Sequence, residues 1–258
     1  MFEEALENGD EVHVLELIEQ GEPLNDAFHD GFTPLMTAAT FGHTMCVRAL
    51  IEAHAEVDLA GRAGATPLII ACQHDHIECV QEILALGAAI DLPSDSGSTS
   101  LNLSCQLGHF ECVQLLLENL ADPNLATADG YTPLMRAAMS GHRGCTGSLL
   151  NAAADINVIS SDGYTPMRIA VVENHPEIVE LLLGAGSPPD LECFWTRDNG
   201  TEGRLVPFEV ACGNGHEEIA QMLLTAGVSE ESVRKGLKWA QKQMQHECVR
   251  LCKVELGR

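Results

Sequence analysis

The stretch Thr33-Pro34-Leu35-Met36-Thr37-Ala38-Ala39-Thr40-Phe41-Gly42-His43 returns along the chain. Its opening recurs as Thr66-Pro67-Leu68, Thr99-Ser100-Leu101, Thr132-Pro133-Leu134 and Thr165-Pro166-Met167, each 33 residues after the last. Its end keeps the same time as Asp75-His76, Gly108-His109, Gly141-His142 and Asn174-His175. Two independent landmarks with one period make the chain a repeat array, in which length counts repeats rather than separate cores.

The residue types explain the recurrence. A Thr hydroxyl can accept from the backbone at a helix start, and Pro in the next position loses no hydrogen bond because that N–H has no helical partner. Apolar residues then follow helical spacing, as with Val80, Ile83 and Leu84 at i, i+3 and i+4, and Gly87 supplies the left-handed residue that ends the helix. On this period and its Thr-Pro-Leu core the sequence resembles the ankyrin-repeat family over essentially its whole length. The resemblance implies an all-α solenoid of helix-turn-helix units with short β-hairpin fingers, about seven repeats plus a C-terminal capping helix pair.

As a single domain over 1–258, the array divides into a capping repeat at 1–29, repeats at 30–62, 63–95, 96–128 and 129–161, one at 162–202 with an extended finger, one at 203–231, and a degenerate basic cap at 232–258. The first cap lacks Thr-Pro, yet Gly9, Val14, Leu17, Ile18 and Asn25 precede Gly42, Val47, Leu50, Ile51 and Asp58 by 33. In the last, Leu237, Ala240, Cys248 and Val249 match Leu68, Ala71, Cys79 and Val80 at a constant offset of 169. Thr165 to Val206 spans 41 residues, so eight have been added, after Asp190. They carry Phe194-Trp195 and an Asn199-Gly200 pair, a strong hairpin-turn signal that predicts an elongated finger with an apolar tip.

Departures from the family pattern predict local weakness. The His that follows Thr-Pro-Leu in the family is replaced by Met36, Ile69, Asn102, Met135, Arg168 and Glu209, so a hydrogen bond tying finger to helix is expected to be missing. His54, Leu120 and Ala153 stand where Gly would end the second helix, at about 1 kcal/mol each. Gly144 and Gly147 interrupt a predicted helix, marking the expected weakest seam.

Apolar residues make up 45% of the chain and aromatics only 4%, which suits helices packed closely through small aliphatic side chains. The net charge of −24 repels phosphate backbones and argues against nucleic acid as the main partner. Every lysine lies in 232–258, where seven basic residues face Glu247 and Glu255, a net of +5 against −29 elsewhere. That basic end reads either as a solvated cap or as a contact for an acidic surface. No apolar run is long enough to span a membrane, and the acidic start Phe2-Glu3-Glu4-Ala5 is unlike a signal peptide, so a cytoplasmic or nuclear location is expected.

The ten cysteines lose their mystery on the repeat clock: Cys46, Cys79, Cys112 and Cys145 form one column and Cys72 and Cys105 another. Same-column residues on packed helices are too far apart for disulfides and read as small buried hydrophobes in a reducing compartment. The Gly-His histidines stand a repeat apart rather than converging, so they read as backbone-bonding residues, not metal ligands. No Walker loop, nucleophile elbow, HExxH or paired CxxC is present, and the reading is non-catalytic, with no cofactor.

The resemblance places partner binding on the finger tips and the exposed side of the first helices. Those positions are filled by Phe32, Phe41, Arg62, His74, Leu107, Tyr131, Met139 and Tyr164, joined by Phe194 and Trp195 on the long finger, and aromatics and Met are favoured interface anchors. Asp30, Asp95, Asp129 and Asp162, just ahead of the finger glycine or its equivalent, could steer a basic segment of a protein partner. The expected function is a protein-interaction scaffold or adaptor of undetermined oligomeric state. Two alternatives stand beside it: a permanent structural subunit of a large assembly, and a substrate of the asparaginyl hydroxylation known for ankyrin repeats, at Asn25, Asn124 and Asn157.

Overall fold

A computed structural model describes residues 1–29, 31–196 and 202–257, excepting the side chains of 193–196 and 202. The chain forms two compact units, 1–128 and 129–258. The first contains α1 (Phe2–Asn8), α2 (Glu11–Glu19), α3 (Pro34–Thr40), α4 (Thr44–Glu52), α5 (Pro67–Gln73), α6 (Ile77–Ala85), α7 (Ser100–Leu107) and α8 (Phe110–Glu118). The second contains α9 (Pro133–Ser140), α10 (Arg143–Asn151), α11 (Pro166–Val172), α12 (Pro176–Gly184), strands β1 (Cys193–Thr196) and β2 (Glu202–Leu205), then α13 (Pro207–Asn214), α14 (Glu217–Thr225), α15 (Glu230–Lys242) and α16 (His246–Glu255). Within each unit the odd-numbered helices pack in one row and the even-numbered in another, and the core lies between the rows. None of these helices is long and apolar enough to cross a membrane.

The Thr-Pro signal works as its chemistry requires. Thr33, Thr66, Thr99, Thr132 and Thr165 each accept the N–H three residues on, at 3.2–3.4 Å. Gly87 ends its helix at φ 97°, and His54, Leu120 and Ala153 take the same left-handed conformation at 71°, 67° and 59°.

The ordinary fingers close as short hairpin turns: Ser94 N–H donates to Ser98 O at 2.9 Å, and Gly97 N–H to Ser94 O at 2.8 Å. Among the described residues only the long finger pairs as strands, with Phe194 opposite Arg204 and Trp195 opposite Gly203. One expectation is corrected: not every finger-to-helix tie is lost where the family His is replaced. Arg168 donates to Gly163 O at 3.0 Å, and Asn102 bonds both Thr99 N–H, at 3.0 Å, and Leu125 O, at 3.1 Å.

Neighbouring repeats are joined by two periodic stitches. His43 Nε2 donates to Glu7 O at 2.9 Å, His76 Nε2 to Thr40 O at 3.0 Å and His109 Nε2 to Gln73 O at 3.2 Å, so each imidazole satisfies a carbonyl at the end of the preceding first helix. Room for the ring comes from glycine: a Cβ on Gly9 or Gly42 would stand 2.5 or 2.6 Å from the next repeat's imidazole. The second stitch runs from Asn25 Oδ1 to Glu56 N–H at 2.9 Å, from Asp58 to Ala89 N–H at 3.0 Å and from Asp91 to Asp122 N–H at 3.2 Å. It reappears in the second unit as Asp190 to Ser229 N–H at 2.6 Å, across 39 residues instead of 31. The added finger residues are thus looped out between two ends that keep the repeat geometry.

The nine described cysteines are free and buried, in keeping with the column reading. Burial, reinforced by Glu11 and Asp10, pushes the Cys46 thiol up to about 11. Because all nine are buried away from solvent, a thiol-exchange reagent at pH 7.5 should leave them largely unmodified in native protein and titrate all ten after denaturation. Rapid reaction of several native thiols would contradict their burial. One contact was not legible in the columns: Cys212 Sγ lies 3.7 Å from Cys252 Sγ.

Helix α10 runs unbroken through Gly144 and Gly147. A Cβ at Gly147 would meet nothing within 4 Å, so Gly147→Ala should raise stability by about 0.5–1 kcal/mol through helix propensity and lost chain entropy. Denaturant titration showing no gain would remove the weak-seam reading.

Candidate partner-binding face

In the second unit the fingers ahead of α9 and α11 bring Tyr131 and Tyr164 to one region. Tyr131 Oη donates to Asp162 Oδ2 at 2.9 Å. Burial, then this bond, pushes the phenol up to about 12, so it remains a proton donor at neutral pH. The Arg136 guanidinium lies 4.8 Å from the Tyr131 ring centroid, and Arg168 lies 4.1 Å from that of Tyr164. Each ring is thereby braced by an arginine of the helix that follows it, and neither is a loose anchor.

Beside Tyr131 is a recess of about 480 Å³ lined by Asp129, Tyr131, Arg136, Met139, Ser161 and Asp162. A smaller adjoining hollow of about 160 Å³ adds Tyr164, Ile169, Val172 and Glu173. Aromatic and thioether walls with a few carboxylates and the Arg136 guanidinium make this a mixed apolar and charged hollow. Three of the sequence-predicted residues, Tyr131, Met139 and Tyr164, therefore share one site with the predicted acidic groups Asp129 and Asp162.

In the first unit Phe41, His74 and Leu107 occupy equivalent C-terminal positions on the adjacent helices α3, α5 and α7, and all three are exposed. The Phe41 ring stacks on His43 at 6.2 Å and His74 on His76 at 6.0 Å. Burial, followed by the neighbouring His76 and His109, holds the His74 imidazole below its usual range, which favours the neutral form. Phe32 is half-buried and Arg62 exposed, each in its finger. The backbones of Phe194 and Trp195 lie in β1, but their side chains fall outside the described residues, as do Asp30 and the Asn199-Gly200 turn.

Sequence reading missed Arg136 as a wall of the recess. The signal was present, since it stands at a first-helix position beside Met139. Asn25 is also placed: its side chain accepts from Glu56 N–H and donates to the Glu56 carboxylate at 3.2 Å, so its amide belongs to the stitch between repeats. Among the described residues no group of three or more His, Cys, Asp or Glu side chains could hold a metal ion.

Threonine-capped helix pairs, positive-φ terminators and finger turns define a helical repeat protein built for surface presentation. The family model for ankyrin repeats matches residues 2–94, 55–127, 83–160 and 101–193, and the chain belongs to the ankyrin-repeat family. Among solved structures, the crystal structure of the human ASB11 ankyrin repeat domain is similar, at 25% identity and a TM-score of 0.71, covering 88% of this chain and 98% of that one. No curated protein matches the sequence. Repeats of this family are generally protein-interaction modules.

Proposed function

We propose that the chain is a non-catalytic adaptor that grips a segment of a protein partner at the Tyr131 recess, with Asp129, Asp162 and Glu173 selecting basic residues in that segment. The observation that carries this is the convergence of two braced tyrosines, Met139 and these carboxylates on one hollow surface. Pre-organised rings spend little conformational entropy on binding, and carboxylates at the rim speed association and impose charge selectivity.

Crosslinking in native lysate with the wild-type chain would nominate partners. The decisive step is calorimetry with the purified candidate. Tyr131→Ala is expected to weaken binding by about 2 kcal/mol, roughly 30-fold, as for a central aromatic anchor, and the affinity should fall as salt rises. Unchanged affinity in the Tyr131→Ala, Tyr164→Ala double variant would overturn this placement of the binding surface.

A further inference from the structure

A second hollow in the same unit, of about 120 Å³, lies where α15 crosses α13, beside the end of β2. Its walls are Leu205, Val210, Gly213 and the Trp239 indole, and one side is closed by Glu209. A carboxylate is an unusual wall here. The Glu209 side chain is only 4% exposed, at the helix position where α3, α5 and α9 carry Met36, Ile69 and Met135. Burying a charged carboxylate is costly unless it is well paired. Its described ion partner, Lys235, stands off at 3.9 Å and makes its closer contact, 2.9 Å, with Glu231.

We propose that this hollow is a pocket for an arginine side chain of a protein partner, with Glu209 receiving the guanidinium and the Trp239 ring supplying its stacking surface. A guanidinium is planar, carries paired donors that match a carboxylate, and stacks on indole, whereas an ammonium matches only the charge. Gly213 leaves the ring accessible, since even a Cβ there would stand 3.7 Å from it. Carboxylates near Glu209 add to its pull on a cation, against the lysines of α15. Asp190, Glu192 and Glu231 surround Glu209, while Arg204 is engaged by Glu192 at 3.0 Å. Lys242 Nζ lies 5.6 Å from the Trp239 ring centroid, near the outer limit of cation–π contact, and a guanidinium stacked at closer range displaces it. Burial, opposed by Lys235, raises the proton affinity of Glu209 above the ordinary carboxylate range. The ionised form is therefore strained in the empty protein, and an arriving guanidinium relieves it.

The arginine's origin in a protein partner rests on the adaptor reading, but the pocket can be tested without any partner. Nα-acetyl-arginine methylamide is titrated into the full chain while the Trp239 indole N–H resonance is followed, after assignment with Trp195→Phe. A saturable shift with a dissociation constant of roughly millimolar size is expected, at least fivefold weaker for the lysine analogue. Glu209→Gln should weaken it at least tenfold, and Gly213→Leu, which fills the hollow, should abolish it. Glu209→Gln should also melt higher than wild type at pH 7. The sign follows from the raised folded-state affinity: ionisation destabilises the fold above that titration, and the gain fades once both states are protonated, below the ordinary value of 4.5. That rise certifies the variant as folded. No saturable shift with the arginine probe, an equal shift in Glu209→Gln, or equal binding of the lysine analogue would overturn the pocket. A pocket that fails while Tyr131→Ala still weakens partner binding leaves the adaptor reading standing, and the converse result separates them the other way.

Discussion

Phe208→Ala is expected to lower stability by about 3–5 kcal/mol, the largest loss for any single residue of the second unit. Phe208 is fully buried and stands where the other repeats carry Leu or Met after Thr-Pro. The extra bulk is accommodated by one residue on the facing helix: a Cβ at Gly236 would lie 2.7 Å from Phe208 Cε1 and 3.1 Å from Cys212 Sγ. Phenylalanine and glycine thus form one complementary pair that lets α15 settle on α13. Truncating the ring opens a void that a helix-spanning contact cannot readily close. Gly236→Val attacks the same pair from the other side, and overpacking should cost about 1–3 kcal/mol. Because repeat arrays can unfold in parts, native-state hydrogen exchange is the proper readout. Protection should fall in α13 to α16 first. A uniform small loss across the unit would show that the pair is not the local keystone.

Gly42→Val should be nearly as damaging, at about 3 kcal/mol. The backbone there has φ 73°, which disfavours a side chain by about 1–2 kcal/mol. The new Cβ would stand 2.6 Å from His76 Nδ1, and displacing that ring also gives up its bond to Thr40 O. A double-mutant cycle divides the two causes. In a His76→Ala background the steric share should vanish and only the backbone strain remain, so the two substitutions should be clearly less than additive. Strict additivity would mean that ring and glycine do not share one fit.

How much of this could be read from the chain depended on whether the cause was local. Thr33 and Pro34 act on their own helix, so the capping motif announced every first helix bearing it. The last pair was legible by offset, which also explains Gln245. It stands where His76 does, and its amide meets the Cβ position of Gly215, as the His43 and His76 rings meet those of Gly9 and Gly42. Tyr131, Met139 and Tyr164 could be grouped from the sequence because the family places fingers and first helices on one surface, and the three do line one hollow. Glu209 was noticed only as a departure from the family histidine. What made it a pocket wall was Trp239, on a helix whose approach depends on Phe208 and Gly236, and no periodicity encodes that distance. The histidine column was likewise visible, but not that the His43, His76 and His109 rings reach back to a carbonyl of the preceding first helix, or that Gly9 and Gly42 are kept empty for the first two. His216 departs even from this pattern: its Nε2 is buried without a hydrogen-bond partner among the described residues, in the repeat that follows the added finger.

The back-reaching histidine has a consequence for how such a chain changes over generations. In the locks at Gly9–His43 and Gly42–His76 the two halves, a glycine two residues after an open helix-end carbonyl and the imidazole that seals that carbonyl, belong to successive repeats and hold a fixed phase. A genetic event that removes or copies one whole period joins an existing glycine to an existing histidine in the register already used, and the new junction is chemically an old one. An event out of phase leaves a carbonyl unsealed and a ring without room. The lock therefore filters inheritance, tolerating change in units of whole repeats and resisting change in fractions of one.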